Sequence, residues 1–331
     1  MNDPAEAGAV APHAAARPCL LINPLSFRAS WFGLATRAAS LAAAAGLEVQ
    51  CVVDPASLRL WLARLRASGQ RQIWMLAGDG TIHALAQYLA EHPDWSPALL
   101  LLAGGRANVV PRECGCYPAL PALRRALAAL AAGRALPEQT LLTMQVSQPG
   151  QPPRHGFLFG GAMIHEGVRL CAEHRARGSG WLHRSFFADP YVLVKLALQV
   201  LIGRSPLPPY PRAVARLAGS GELAAPLRIL LASTLEMRAA LYNPFAARGA
   251  GPVRLTAVAA TAPRFWRHLP ALLGGRFDDS MDLAHGYLSG RGARAEVQGV
   301  GGYALDGETF TADPAAPIVL APGVNLRVLR P

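Results

Sequence analysis

Three short segments of the chain carry residues able to do chemistry on a phosphate. Ile73-Trp-Met-Leu-Ala-Gly-Asp-Gly-Thr-Ile82 reads as a strand that delivers two glycines around an aspartate, with Thr81 opening a helix. Gly78 and Gly80 would let phosphate oxygens approach the backbone, and a helix start adds free N–H groups and a favourable dipole. Asp79 stands at the mouth of that loop, where it could order a metal ion or a hydroxyl. The same residues also suit an ordinary strand-to-helix turn capped by Asp79 or Thr81. The second segment, Ala103-Gly-Gly-Arg-Ala-Asn-Val-Val-Pro-Arg-Glu113, offers Gly104, Gly105, Arg106 and Asn108. An arginine there can neutralise phosphate charge, or simply face solvent at a helix start. The third, Tyr303-Ala-Leu-Asp-Gly-Glu308, sets the carboxylates of Asp306 and Glu308 across a glycine. In isolation that pattern is most often a hairpin turn. None of the three is the dinucleotide G-x-G-x-x-G or the phosphate loop G-x-x-x-x-G-K-[ST].

Such residues need elements to hold them. From Pro18 the chain alternates: strand Cys19–Ile22 stopped by Asn23-Pro24, helix Trp31–Ala45 ending at Gly46, strand Leu47–Val53 broken by Asp54-Pro55, and helix Ser57–Ala67. Then come strand Gln72–Ala77, the Gly78-Asp79-Gly80 loop, helix Thr81–Glu91, strand Ala98–Ala103, the Gly104-Gly105-Arg106 loop and a helix from Ala107. Strand–helix alternation with short glycine loops predicts a parallel sheet covered by helices, with ligands at the carboxyl ends of its strands. Beyond residue 140 the texture changes. Short apolar runs at Leu141–Val146, Gly156–Phe159, Leu227–Ser233, Val253–Ala260 and Ala295–Gly299 predict a second domain rich in antiparallel strands. Helices near Gly167–His174 and Pro190–Ile202 would interrupt it, with Pro206–Arg212 as a loop; no repeat is evident. The expected organisation is a loose tail (1–17), an α/β nucleotide-binding domain (18–140), a β-rich substrate domain (141–315) and a return segment (316–331).

Composition narrows the classes. A chain of 331 residues with 52% hydrophobic and 16% charged content is neither disordered nor fibrous, and is long enough for two cores. The formal charge is +11, nearly all of it arginine, since Lys195 is the one lysine. That balance suits a nucleotide, a nucleic acid or an anionic membrane surface, and equally the arginine usage of a GC-rich genome. Cys19, Cys51, Cys114, Cys116 and Cys171 lack paired spacings and read as reduced thiols of a cytosolic protein. No secretory signal is visible, and Tyr191–Ile202 is too short and too interrupted to cross a bilayer, so a soluble or peripheral protein is expected. His165, His174 and His183 recur every nine residues, which matches no metal spacing. Arg169, Leu170, Arg175, Arg177, Trp181, Leu182 and Arg184 form a basic, aromatic-flanked stretch suited either to lipid headgroups or to solvent.

Taken together, Asn23-Pro24, the G-D-G-T loop, the G-G-x-A-N loop and the late D-G-E triplet stand in the order of the diacylglycerol kinase catalytic-domain family, which includes bacterial lipid kinases, sphingosine kinases and ceramide kinases. The resemblance runs from about Pro18 to Pro331. Gly156-Phe-Leu-Phe-Gly-Gly-Ala-Met-Ile164 is similar to the family's glycine-rich strand, and Gly275-Arg-Phe-Asp-Asp-Ser-Met-Asp282 to its acidic stretch. This resemblance implies a phosphofructokinase-like α/β domain, a β-sandwich-like second domain and a final strand returning to the first. It further implies that Asn23, Gly78, Asp79, Gly80 and Thr81 line ATP phosphates, with Gly104, Gly105, Arg106 and Asn108 alongside. By the same resemblance Asp306 matches the general base of bacterial members, assisted by Glu308, while Asp79 matches a catalytic aspartate of sphingosine kinases. Asp279, the Met281 carbonyl and Asp282 match an accessory Mg²⁺ site.

The chain also departs from the pattern. Arg106 replaces the usual Thr, Val109 stands where an acidic or another apolar residue is usual, and His83-Ala84 replaces Asn-Glu, which removes one carboxylate. The expected activity is ATP- and Mg²⁺-dependent phosphorylation of a membrane lipid hydroxyl, in the cytoplasm against the inner membrane face, with a homodimer compatible and nucleic acid not a partner. The alternative is a non-catalytic nucleotide- or lipid-binding member. A soluble-substrate kinase such as an NAD kinase shares the G-D-G signature but not the late triplet.

Overall fold

The structure is a computed structural model that describes residues 17–177, 210–237 and 242–331, with the side chains of 174–177 excepted. Residues 1–16 of the expected tail, the Pro190–Ile202 helix, most of Pro206–Arg212, His183, Trp181, Leu182, Arg184 and the side chains of His174, Arg175 and Arg177 lie outside the described residues.

The first half builds β1 (Cys19–Ile22), α1 (Leu34–Ala44), β2 (Glu48–Cys51), α2 (Pro55–Ala67), β3 (Gln72–Ala77), α3 (Asp79–Glu91), β4 (Ala98–Ala103), α4 (Val109–Glu113) and α5 (Ala119–Ala131). Every residue of β1 and β4 is buried, as expected of strands covered by helices on both faces. The strands pair in parallel in the order β2-β1-β3-β4. Local chemistry sets the helix starts. Asp54 caps α2 by accepting from Ser57 N at 2.7 Å, with Ser57 Oγ reaching back to the Asp54 amide and Pro55 at the first position. In α3, Ile82, Leu85, Ala86 and Leu89 form the buried stripe.

The second half comprises β5 (Glu138–Ser147), β6 (Arg154–Gly156), β7 (Leu158–Ala162), α6 (Met163–Arg177), β8 (Arg212–Leu217), β9 (Gly221–Ser233), β10 (Val253–Ala259), α7 (Phe265–Leu273), β11 (Tyr287–Gly292), β12 (Ala295–Gln298), β13 (Gly302–Leu305), β14 (Glu308–Thr311) and β15 (Ile318–Leu329). β9 turns from one layer to the other. Its first residues pair with β8 up to Pro226, and from Leu227 it pairs with β10. Proline has no amide to give a ladder, so the corner falls where pairing changes partner. Between the layers lies a second core, with Met144, Ala215, Val297 and Leu320 from one side and Phe159, Leu230, Leu255 and Leu288 from the other. The last strand joins the halves: β15 runs antiparallel to β5 and parallel to β4 through Arg327–Ala98 and Val328–Leu99.

The expected fold class therefore stands: an α/β parallel-sheet domain, a mostly-strand second domain and a returning final strand. Several local expectations need correction. Asp79 and Gly80 are not loop but the first turn of α3, because Thr81 and Ile82 N already bond to Gly78 O. The helix expected from Ala107 starts at Val109, because Asn108 is held in the left-handed region. The expected Trp31 start moves to Leu34, because Phe32 and Gly33 also have positive φ. The single run Gly156–Phe159 is split at Phe157, whose amide turns to a side chain. The return segment expected from residue 316 is one strand, β15, with an irregularity at Pro322–Asn325.

Candidate functional site

The two glycine segments meet at the carboxyl ends of β3 and β4. Asp79, first residue of α3, accepts from Asn108 N at 3.0 Å and Val109 N at 3.1 Å, so it caps α4 across the gap between loops. Asn108 is 1% exposed and clamps its own loop, accepting from Gly105 N at 2.7 Å and donating to Gly105 O at 2.8 Å. A Cβ on Gly105 would stand 2.8 Å from Gly78 Cα and 2.9 Å from Asp79 Oδ2; glycine is required here by close approach. The segment after β1 closes the other side. Asn23 Nδ2 donates to Thr81 Oγ1 at 3.0 Å, Gly78 N donates to Ser26 Oγ at 2.9 Å, and Arg28 N and Ala29 N donate to Gly104 O.

The late triplet arrives from the second domain. Asp306 and Gly307 are the two central residues of a hairpin turn between Leu305 and Glu308, both with positive φ, as a tight Asp-Gly hairpin requires. The hairpin expected of this triplet is therefore present, and the same turn carries Asp306 to α3. Asp306 accepts from Phe157 N at 3.0 Å and Leu158 N at 2.9 Å, and its Oδ2 lies 3.2 Å from His83 Nδ1 on α3. Glu308 Oε1 lies 3.0 Å from where a Cβ on Gly80 would stand. The late aspartate therefore sits at the start of α3, with the first aspartate.

Electrostatics follow from this packing. Burial pushes the Asp79 carboxyl above its ordinary range, the Asn108 and Val109 amides pull it back, and the Asp306 charge raises it further. Burial and the Asp79 charge also push the phenol of Tyr242 up.

Other predicted residues are placed differently. The Arg106 guanidinium lies 3.9 Å from the centroid of the Phe27 ring, a stacked arrangement. Val109 supplies only its amide. The acidic stretch is the loop between α7 and β11, and its bonds are local: Asp278 accepts from Ser280, and Asp282 Oδ1 from the amide and ring of His285, while Met281 is buried. Asp279 is exposed. Among the described residues no group of three or more His, Cys, Asp or Glu is placed to hold a metal ion. Arg169 pairs with Glu166 and Glu173, so the described part of the basic stretch is ion-paired, and His165 lies against Glu166. Sequence reasoning missed Ser26 and the amides of Phe157 and Leu158. It noted His83 only as a departure, although the i, i+4 spacing from Asp79 puts both on one helix face.

A parallel-sheet domain with two glycine-lined loops, closed by a carboxylate hairpin from a strand-rich second domain, defines the class as a two-domain α/β protein. Residues 17–139 match the family described as diacylglycerol kinase catalytic domain, so the resemblance carried by the motifs stands over this stretch. No curated protein matches the chain. Among solved structures, one from Bacillus anthracis str. Sterne described as a diacylglycerol kinase is 12% identical, with a TM-score of 0.60 over 95% of this chain and 97% of that one. Two more from that strain, so described provisionally, are 14% and 13% identical, with TM-scores of 0.63 and 0.57 over 95% of this chain and 97% and 98% of theirs. At those identities the likeness is one of fold.

Proposed function

We propose that the protein is an ATP- and Mg²⁺-dependent lipid kinase that transfers a phosphoryl group to a hydroxyl of a membrane lipid such as diacylglycerol, ceramide or a sphingoid base. The observation that carries this reading is the meeting of Asp79, Asp306 and Glu308 at the start of α3. The amides of Asp79 and Gly80, in the first helical turn, have no intrahelical acceptor and suit phosphate oxygens. Gly80 leaves open the space a side chain would fill beside Glu308, the cradle a phosphate needs. Asp79 fixes the second loop to the first, so Gly104, Gly105 and Asn108 present one rigid wall. Asp306 is the group to take the hydroxyl proton, its carboxylate held by two backbone amides. The donor oxygen of Glu308 fits a hard cation, and bound Mg²⁺ would neutralise phosphate charge. Asp279, the Met281 carbonyl and Asp282 would hold an accessory Mg²⁺ in this reading, Asp282 through Oδ2, since His285 engages Oδ1.

The lipid substrate makes the inner membrane face the working surface of this reading; no helix among the described residues is long and apolar enough to cross a bilayer. Incubation of the purified protein with labelled ATP, Mg²⁺ and vesicles carrying each lipid in turn should give label in one lipid class. Nucleotide binding without transfer to any of them would instead support the non-catalytic reading, which the stacked Arg106 and the missing carboxylate at Ala84 favour.

A further inference from the structure

We propose that His83 is a positioning residue that fixes the Asp306 carboxylate to the nucleotide-binding helix; the inference rests on the kinase reading above. The hydrogen bonds of Asp306 divide by domain. The amides of Phe157 and Leu158, at the β6–β7 junction, hold it within the strand-rich half, as does its own amide, which donates to Leu158 O at 2.9 Å. Among the described residues its one hydrogen bond to the α/β domain runs to His83 Nδ1, at 3.2 Å. Under the proposed role of Asp306 as proton acceptor its carboxylate accepts here, which makes His83 Nδ1 the donor.

This contact is protected. The side chains of His83 and Asp306 are 9% and 7% exposed, so the bond is not exchanged freely with water. Phe310 on β14 lies against the imidazole, with ring centroids 6.3 Å apart. Gly156 makes room on the far side: a Cβ there would fall 2.5 Å from Asp306 Oδ2. The Gly156 backbone thus closes on the carboxylate while Phe310 backs the imidazole.

The consequence for chemistry is geometric. α3 presents two residues one turn apart on the same face, Asp79 toward the second glycine loop and His83 toward Asp306. The nucleotide cradle and the proton acceptor belong to different domains, yet in-line phosphoryl transfer demands that they keep a fixed spacing. Only a bond from α3 to Asp306 sets that spacing directly, and His83 supplies it. Asparagine would serve as well, because its Nδ2 is as many bonds from the backbone as His Nδ1.

The test compares wild type, His83→Ala and His83→Asn in phosphoryl transfer from ATP to lipid in mixed micelles, with ATP affinity measured separately by titration. A positioning role predicts that His83→Ala lowers kcat by about 100-fold while KM and ATP affinity stay within about threefold, and that His83→Asn recovers at least about tenfold of the loss. Equal kcat in His83→Ala and wild type would overturn the inference, as would a His83→Asn variant no better than the alanine one. A wild type that labels no lipid would instead sink the kinase reading and take this inference with it. Should His83→Ala fail to fold, long-range proton–nitrogen spectra of wild type and Asp306→Asn decide. A downfield Nδ1 proton on His83 that moves upfield in the variant supports the bond, and an unchanged signal overturns it.

Discussion

The Asp79 carboxylate lies 3.0 Å from the Asn108 amide, with its other oxygen 3.1 Å from the Val109 amide. One side chain thereby ties the start of α3 to the start of α4. In Asp79→Asn the amide group can accept at one position only and turns its own donor against a backbone N–H. The variant should lose about 1–2 kcal/mol in urea unfolding and lower lipid phosphorylation by orders of magnitude. Full activity in the variant would remove Asp79 from the machinery.

The pH dependence of that difference has a definite sign. Burial holds the folded-state pKa of Asp79 above its unfolded value, so the folded protein binds the extra proton. The Asp79 contribution is most favourable below the unfolded value of about 4 and is lost as pH rises through the folded pKa. The stability of wild type relative to Asp79→Asn should therefore increase as pH is lowered into that window. Denaturation midpoints of both proteins, taken as a difference at each pH, check it; a difference that shrinks on acidification would contradict it.

Asp306→Asn separates charge from shape. Asparagine tolerates the left-handed φ of 52° that the hairpin requires, so the turn should survive and the unfolding midpoint should move little. Under the proposed function turnover should fall by about 100-fold or more, because the proposed proton acceptor would be gone. A valine in its place would strain the turn and should instead show up as lost stability.

Glycine substitutions distinguish close approach from open space. Gly105→Ala brings a methyl group against Gly78 Cα and the Asp79 carboxylate. It should cost about 1–3 kcal/mol and weaken nucleotide binding by at least about tenfold. Gly301, with nothing within 4 Å of an added Cβ, is the control, and Gly301→Ala should bind nucleotide as wild type does.

Thiol labelling tests the packing of the first domain. Cys51 is exposed, whereas Cys19, Cys114, Cys116 and Cys171 are buried. Burial pushes the thiols of Cys19 and Cys116 up to about 11 and about 12, and that of Cys114 up as well. In the native protein at about pH 8 only Cys51 should react quickly with a thiol reagent, the others following on unfolding. Rapid labelling of Cys114 or Cys116 would mean that α4 does not pack as described.

Much of this was legible in the order of residues. The runs Cys19–Ile22, Gln72–Ala77 and Ala98–Ala103 fall on the observed strands because strands buried on both faces must be continuously apolar. The second glycine pair marked its loop because the crossing of the segments leaves no room for a Cβ on Gly104 or Gly105. Asp306-Gly307 marked a hairpin because left-handed backbone favours those two residues.

What tertiary structure alone decided is which of these residues face one another. The distance from Asp306 to His83 spans most of the chain, and it exists only because β15 returns beside β4 and brings the second domain over α3. Spacing along the sequence says nothing of such a contact, since folding fixes it through burial summed over both cores. The same holds for Arg106: its charge was evident from its identity, while its seat on the Phe27 ring depended on how the segment after β1 folds across the loop. Local propensity and glycine chemistry wrote the loops; the packing of two domains chose their partners.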